Sequence, residues 1–271
     1  MDLRFQVAAG SHPGKVRERN EDTCIVGERV WAIADGMGGA AAGGMASQIA
    51  AGCVEAFDKA HRGEAFGRQQ ISDLLVQVNS AILGYASRHP KAAGMGTTIA
   101  GVAPVALAGL QHWLVFHVGD SRVYRWSEGN LNQETTDHSE VQLLVDQGLL
   151  AKAEARTHPQ RNVLTRCLGT PQAPIPGMRV VPCQAGDRIL ICSDGLTAEV
   201  EDDIIERVLR TTPNSRQAVD RLISVALDNG GRDNVSVIVI EVDAETEASL
   251  EGNLEDTLPM DLGGLYGSTR S

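Results

Sequence analysis

The sequence has few of the residues that would mark several common protein classes. It contains only three Trp, three Tyr and four Phe in 271 residues, so its core must be packed mainly with aliphatic side chains. Its five cysteines are odd in number and form no C-x-x-C pair, which argues against a disulfide framework or a zinc finger. They are typical of small buried residues in a reducing compartment.

Basic charge and long apolar runs are also scarce. Lys and Arg number 24 against 35 Asp and Glu, and the net charge of −11 argues against a surface that binds nucleic acid or anionic membranes. No apolar run approaches membrane-spanning length, and no apolar segment typical of a signal peptide precedes the first predicted strand. We therefore expect a cytoplasmic protein that binds neither nucleic acid nor membrane, with a monomer as the default.

The stretch at 30–44, VWAIADGMGGAAAGG, is the feature around which the chain is organised. An apolar run typical of a buried strand ends at Asp35, and a glycine cluster follows that permits close approaches of the backbone. Beyond Gly44, apolar residues recur every four positions, from Met45 to Phe57, which predicts a helix. Asp35 is therefore expected at a junction between a strand and a helix.

Three further aspartates lie beside apolar runs in the same manner. Asp120 ends HWLVFHVGD, Asp194 follows DRILIC, and Asp233 directly precedes NVSVIVIEV. One such aspartate is most often a turn or cap residue. Four of them, from distant parts of one chain, favour a shared carboxylate site.

The rest of the pattern predicts alternating strands and helices. Strands are predicted at 4–9, 23–26, 178–182, 188–192 and 235–242, helices at 70–86, 202–210 and 215–227, and a short helix within 135–166. Between 97 and 126 three strand-like runs predict an antiparallel meander whose second connection is the GDSR turn. Residues 243–271 hold seven Asp or Glu and one basic residue, which predicts a disordered tail, with a docking helix of four-spaced leucines as the alternative.

Clustered carboxylates imply bound cations, because ionised aspartates without compensation repel one another. The predicted ligands are all hard oxygens, which favours Mg²⁺ or Mn²⁺ over zinc or copper. Two such ions can activate a water and hold a phosphoryl group, and an arginine can grip the phosphate oxygens. Arg17 is the candidate for this arginine, with Arg19 as its competitor.

The glycine cluster admits a second interpretation. Residues 36–41 approximate the G-x-G-x-x-A fingerprint of dinucleotide-binding proteins. The acidic residue expected about twenty positions later would be Glu55, inside a predicted helix, and no strand separates the two predicted helices that follow. This interpretation would also leave Asp120, Asp194 and Asp233 without a role.

Eight short motifs together resemble the metal-dependent serine/threonine phosphatase family (PPM, type 2C) in its bacterial form. They are VRERNED at 16–22, ADGMGG at 34–39, GTT at 96–98, VGDSRVYR at 118–125, TDHS at 136–139, HPQRNVLTRCLG at 158–169, CSDGL at 192–196 and RDNVSVIVI at 232–240. The resemblance implies an α+β fold, a four-layer αββα sandwich of two antiparallel β-sheets flanked by helices. It implies a phosphatase domain at 1–242, with a flap at 139–168 beside the site.

The resemblance also assigns roles to residues. It implies that Asp35 bridges two Mn²⁺ or Mg²⁺ ions, that the Gly36 carbonyl joins the first, and that Asp194 and Asp233 bind the second. Asp120 with Asp194 matches a possible third metal site. Glu21 and Asp22 match positions that hold metal-bound waters, and Arg17 matches the phosphate-binding arginine.

The implied activity is hydrolysis of phosphoserine and phosphothreonine in proteins by direct attack of a metal-activated water. The expected partners are phosphorylated substrates of a Ser/Thr kinase. Small phosphomonoesters are an alternative, as is a silent module that binds phosphorylated partners. One departure concerns Met37, because some members have a histidine there that is proposed to protonate the leaving group.

Overall fold

The computed structural model describes residues 3–38, 42–62 and 66–244. Within these ranges the chain forms eleven β-strands and seven α-helices. The strands are β1 (Leu3–His12), β2 (Asp22–Val26), β3 (Trp31–Met37), β4 (Gly96–Thr97), β5 (Ile99–Leu107), β6 (Leu110–Val118), β7 (Arg122–Ser127), β8 (Asn130–Gln133), β9 (Gly177–Pro182), β10 (Arg188–Cys192) and β11 (Val235–Ala244). The helices are α1 (Ala42–Ala60), α2 (Arg68–Arg88), α3 (Glu140–Asp146), α4 (Lys152–Ala155), α5 (Asp194–Thr197), α6 (Asp202–Thr211) and α7 (Ser215–Asp228).

The strands form two antiparallel sheets. The first sheet has the order β1-β11-β10-β7-β8, and the second has the order β2-β3-β5-β6-β9, with β4 paired to β3. Strand β11 shows that the first sheet is covered on both faces. Val235, Val237 and Val239 pack on one side of the sheet, whereas Ile238 and Ile240 pack on the other, as the period-two geometry of a strand requires.

Three apolar clusters fill the spaces between four layers. Helices α1 and α2 pack on the second sheet, helices α6 and α7 pack on the first, and a third cluster lies between the two sheets. This arrangement is the predicted αββα sandwich, and the prediction is confirmed. Among the few aromatic residues, Phe5, Trp31 and Trp113 meet in the central layer, with ring centroids 5.0 to 6.0 Å apart.

The predicted meander through β5, β6 and β7 is wrong at its second connection. Strands β5 and β6 form a hairpin in the second sheet, but β7 pairs with β10 and β8 in the first. The GDSR turn therefore carries the chain from one sheet to the other. Both strands beside it are apolar, and this pattern specifies burial without specifying which sheet a strand joins.

The dinucleotide-binding alternative is not supported by the topology. Strand β3 is followed by α1 and α2 and then by β4, which pairs antiparallel with β3. All the strand pairs in the described ranges are antiparallel, whereas a dinucleotide fold needs parallel βαβ units.

The two predicted helices after β3 are present, but the most buried face of α1 differs from the predicted one. Ala46, Ala50 and Val54 are fully buried, while Met45 and Ile49 are only partly buried. Small side chains let this helix approach the sheet closely, and the larger ones fill the space beside it. The single helix predicted within 135–166 is two short helices, α3 and α4.

The predicted acidic tail falls largely outside the described residues. Strand β11 continues to Ala244, two residues beyond the predicted end of the folded domain, and residues 245–271 are not described. Within the ranges that are described, no helix combines the length and apolar character needed to cross a membrane.

The central aromatic cluster makes a testable contribution to stability. Trp113 is fully buried, so Trp113→Ala should lower the free energy of unfolding by about 3 to 5 kcal/mol. Leu110→Ala, at an exposed position of the same strand, should change it by less than about 0.5 kcal/mol. Urea unfolding followed by circular dichroism measures both. Equal losses in the two variants would contradict the assignment of Trp113 to the core.

Candidate active site

Asp35 lies near the end of β3, and its backbone is fixed on both sides. Its register partner across the strand pair is Asp22 of β2. On the other side the Asp35 N–H donates to Thr98 Oγ1 at 3.2 Å, and the Asp35 carbonyl accepts from Thr97 Oγ1 at 2.8 Å. Thr98 Oγ1 also lies 2.7 Å from the hydroxyl of Ser121, in the GDSR turn. The GTT and GDSR motifs therefore hold the strand that presents Asp35.

Gly36 brings this strand end against the first turn of α1. Its N–H donates to the Glu21 carbonyl at 3.1 Å. A Cβ atom at position 36 would lie 2.1 Å from the carbonyl oxygen of Gly43, closer than any real contact. Glycine is required here because the two backbones touch.

The other candidate carboxylates come from both sheets. Asp120 follows β6, Asp194 is the first residue of α5 after β10, and Asp233 precedes β11. A hydrogen bond connects the two sheets here: Ser193, directly after β10, donates from its Oγ to Asp22 Oδ2 of β2 at 2.7 Å. The N–H of Ser236 in turn donates to Ser193 Oγ at 3.0 Å. The ends of the two sheets thus meet where the aspartates lie.

The carboxylates interact as one group. Burial raises the pKa of Asp35 well above its usual value, and the charges of Asp22, Asp194, Asp120 and Asp233 raise it further. Burial and the charge of Asp233 raise the pKa of Asp194 to about 6. Burial likewise raises the pKa of Asp22 and, together with the charge of Asp194, that of Asp120. Such shifts are typical of acids brought together without enough positive charge.

The donor set suits a hard divalent cation. Burial and the charges of the neighbouring carboxylates raise the pKa of Asp35 and of Asp194, so their ionised forms call for a compensating positive charge. Asp22 Oδ1 is buried without a hydrogen-bond partner. In the parts of the chain described here, no three His, Cys, Asp or Glu side chains already form a metal-ligand set. A bound divalent cation would supply the positive charge that these carboxylates lack.

Arg17 lies at the exposed rim of the aspartates. Its Nη2 donates to Asp233 Oδ2 at 2.8 Å. This contact is the main cause of a raised pKa for Arg17, and Asp194 and Asp35 also contribute through their charges. Arg19 contributes a backbone carbonyl to the hydrogen bonds around Asn234. The geometry thus favours Arg17 over Arg19 as the cation that faces this site.

A second arginine was not singled out by the sequence pattern. Arg122 of β7 is largely buried, and its Nη2 and Nε donate to Asp137 at 2.7 to 3.1 Å. Its Nη1 donates to the hydroxyl of Tyr124 at 2.9 Å. The positive charge of Arg122 lowers the pKa of Asp120 and Asp194, opposing the larger effect of burial. Arg122 belongs to the GDSR motif, but only the folded structure shows that its charge acts on Asp120 and Asp194.

Two stacked histidines lie beside the Asp120 loop. The rings of His117 and His138 are 4.4 Å apart. The Gly119 N–H donates to His138 Nδ1 at 3.2 Å, and Arg166 approaches Nε2 at 3.2 Å. Burial, with the charges of His117 and Arg166, lowers the pKa of His138 to about 3. His138 is therefore neutral at physiological pH.

Comparison with known proteins decides the family. The model of the protein phosphatase 2C family matches residues 14–236. The chain belongs to this family. The serine/threonine phosphatase stp of Listeria monocytogenes is 34% identical over 242 residues, which are 85% of this chain and 93% of that relative.

The mycobacterial relatives extend this comparison. The serine/threonine protein phosphatase PstP of Mycobacterium tuberculosis is 40% identical over 247 residues, which are 89% of this chain but only 45% of that relative. The chain thus spans less than half the length of PstP. A crystal structure of the catalytic domain of PstP with two manganese ions superposes with a TM-score of 0.78 and 38% identity, covering 90% of this chain and 100% of that one.

All the candidate residues lie inside the part of the chain that matches the protein phosphatase 2C family. These residues are Arg17, Glu21, Asp22, Asp35, Gly36, Asp120, Asp194 and Asp233. The structure brings the five aspartates and Arg17 to one end of the sandwich, and Gly36 and Glu21 join them through the backbone.

The neutral state of His138 predicts a pH dependence of stability. The unfolded chain binds a proton at the ordinary histidine pKa, near 6.5, whereas the folded chain does not until pH falls to about 3. The contribution of the neutral His138 to the free energy of unfolding is therefore fully present above about pH 6.5 and is lost as the pH falls toward 3. Between pH 7 and pH 5 the free energy of unfolding should fall by about 1 to 2 kcal/mol more in the wild type than in His138→Asn.

The measurement is urea unfolding of both proteins at several pH values. His89→Asn, at an exposed histidine in the cap of α2, is the matched control. A difference between wild type and His138→Asn that stays constant with pH would show that His138 is not held neutral.

Proposed function

We propose that the chain is a protein serine/threonine phosphatase that hydrolyses phosphoserine and phosphothreonine by direct attack of water. The observation that carries the proposal is the group of interacting buried aspartates with Arg17 at its rim. Its relatives carry names of serine/threonine phosphatases, and one was solved with two manganese ions. Both findings favour the same chemistry for this site.

Two ions, Mn²⁺ or Mg²⁺, would be held by oxygen ligands alone. Asp35 would bridge them, the Gly36 carbonyl would join the first, and Asp194 and Asp233 would bind the second. Asp120 with Asp194 would hold a third ion. When bound, these cations supply Lewis acidity and lower the pKa of a water beside the phosphorus.

Glu21 and Asp22 would orient ordered waters at the edge of the ion site. Asp22 is suited to this role because its Oδ2 is fixed by Ser193 while its buried Oδ1 remains without a partner. Glu21 is anchored through its backbone, since its carbonyl accepts from Gly36 N and its N–H donates to Asn234.

Arg17 would bind the phosphoryl oxygens of the substrate. Its guanidinium pairs with Asp233 and has a side chain that is 57% exposed, so it can exchange this partner for a phosphate at modest cost. A cation held by Asp233 would weaken the attraction between Asp233 and Arg17. The guanidinium then presents two N–H groups to the phosphate, a geometry that lysine cannot reproduce.

Protonation of the leaving alkoxide does not depend on a histidine at position 37. Met37 occupies the end of β3, and its thioether has no proton to give. His138 is neutral through the physiological range and is already in contact with Gly119 and Arg166. The proton would therefore come from solvent at the site.

The expected partners are phosphorylated proteins, the products of a Ser/Thr kinase. The net charge of −11 is unsuited to nucleic acid, and basic groups at the site, such as Arg17, would attract the phosphate locally. A cytoplasmic location and a monomeric state remain expectations from the sequence.

Substitution of the ion ligands tests the proposal. Asp194→Asn or Asp233→Asn should lower Mn²⁺-dependent hydrolysis of a phosphothreonine peptide by roughly 100-fold or more, since metal activation is worth several kcal/mol. In chelator, Asp194→Asn should melt no lower than the wild type, because it removes one of several like charges. Asp203→Asn, at an exposed position of α6, is the control. Undiminished turnover in both site variants would refute the assignment.

The pH profile of hydrolysis tests the assignment of the proton donor. The acid limb of kcat should be the same in the wild type, His138→Asn and His158→Asn, because neither histidine protonates the leaving group. Initial rates between pH 5 and pH 8 at saturating Mn²⁺ provide the measurement. A limb near the ordinary histidine pKa that vanishes in either variant would identify that histidine as the acid.

A further inference from the structure

Asn234 makes three hydrogen bonds to one loop. The loop at 13–21 connects β1 to β2 and carries Arg17 at its middle. Asn234 Nδ2 donates to the Pro13 carbonyl at 2.9 Å and to the Arg19 carbonyl at 2.8 Å. Asn234 Oδ1 accepts from the Glu21 N–H at 2.8 Å. One buried amide, 7% exposed, therefore satisfies backbone groups on both sides of Arg17.

Apart from Asn20, whose Nδ2 donates to Ser11 Oγ at 2.6 Å, the loop has little else to fix its middle. Residues 15–20 are exposed, and Val16, its only large apolar side chain, is 67% exposed. Further backbone anchors lie at its ends, where Lys15 N–H donates to the Gly231 carbonyl at 2.7 Å and Gly36 N–H donates to the Glu21 carbonyl at 3.1 Å. A loop without apolar burial depends on such hydrogen bonds for its conformation.

Asn234 also connects this loop to a candidate ion ligand. It directly follows Asp233, and its own N–H donates to Asp233 Oδ1 at 2.8 Å. On the opposite side, Asp233 Oδ2 accepts from Arg17. The Asp233-Asn234 pair thus fixes both the carboxylate and the loop from which the arginine reaches it.

We infer that Asn234 is a positioning residue that sets the place of Arg17 relative to Asp233. The inference rests on the proposed function, in which Arg17 binds the substrate phosphate. Without the amide, the Pro13 and Arg19 carbonyls and the Glu21 N–H lose a protein partner, and Arg17 is displaced from the orientation that meets the phosphate. Misplacement of a binding group lowers catalysis even when the group itself is retained.

Asn79 provides a matched control for the loss of an amide. It is 3% exposed and lies on α2. Its Nδ2 donates to the Thr170 carbonyl at 3.0 Å, and its Oδ1 accepts from the N–H groups of Gly169 and Thr170 at 2.8 and 3.2 Å. Asn79→Ser and Asn234→Ser therefore each remove three hydrogen bonds to backbone, and only the second touches the Arg17 loop.

The decisive experiment is a double-mutant cycle in the full chain with Arg17→Ala. Hydrolysis of a phosphothreonine peptide is measured at saturating Mn²⁺. Asn234→Ser should lower kcat/KM at least tenfold in the wild-type background, mainly through KM, and less than twofold in the Arg17→Ala background. A residue with a merely structural role would give equal losses in both backgrounds, and that result would overturn the inference. A comparable loss in Asn79→Ser would overturn it as well.

Amide hydrogen exchange separates this inference from the proposed function. Asn234→Ser should speed exchange of the amides at 14–21 at least tenfold, whereas Asn79→Ser should leave them unchanged. A wild type that hydrolyses no phosphopeptide with Mn²⁺ would refute the proposed function. Unchanged exchange at 14–21 in Asn234→Ser would refute the positioning role, whether or not the protein is active.

Discussion

The structure depends on one electrostatic constraint, the close approach of several carboxylates at one end of a sandwich. Asp22 and Asp35 face each other across a strand pair, and Asp194 arrives from the other sheet. Burial and mutual repulsion disfavour their ionised forms, so protonation or cations must compensate. A fold gains nothing in stability from such a group, which is why it indicates a function.

The rigid framework around these residues explains how the constraint is maintained. Asp35, Asp194 and Asp233 lie at the ends of β3, β10 and β11, which are inner strands with a hydrogen-bonded neighbour on each side and apolar clusters on their faces. Short polar side chains then complete the assembly. Thr98 fixes the backbone of Asp35, Ser193 connects the two sheets through Asp22, and Arg122 places a buried positive charge behind Asp120 and Asp194.

The phosphate-binding part of the proposed site is built differently. Arg17 lies on an exposed loop, and its side chain reaches over the carboxylates rather than lying among them. The contrast between buried carboxylates and an exposed arginine suits the proposed hydrolysis of a large substrate. Metal ions need fixed ligands, whereas a phosphorylated protein must approach from solvent. Asn234 joins the two parts, since it directly precedes β11 and makes hydrogen bonds to the loop that carries Arg17.

The sequence by itself determined the order of strands and helices and the presence of aspartates beside apolar runs, because these features depend on local periodicity and residue chemistry. The sandwich of two sheets was predicted from the resemblance of its motifs to the type 2C phosphatase family. Only the tertiary structure decided that β6 and β7 join different sheets, that Ala46 is more completely buried than Met45, and that burial keeps His138 neutral. It alone showed the partners of Asn234 and Arg122. These outcomes depend on contacts between residues far apart in the chain, and no local pattern encodes which distant groups meet.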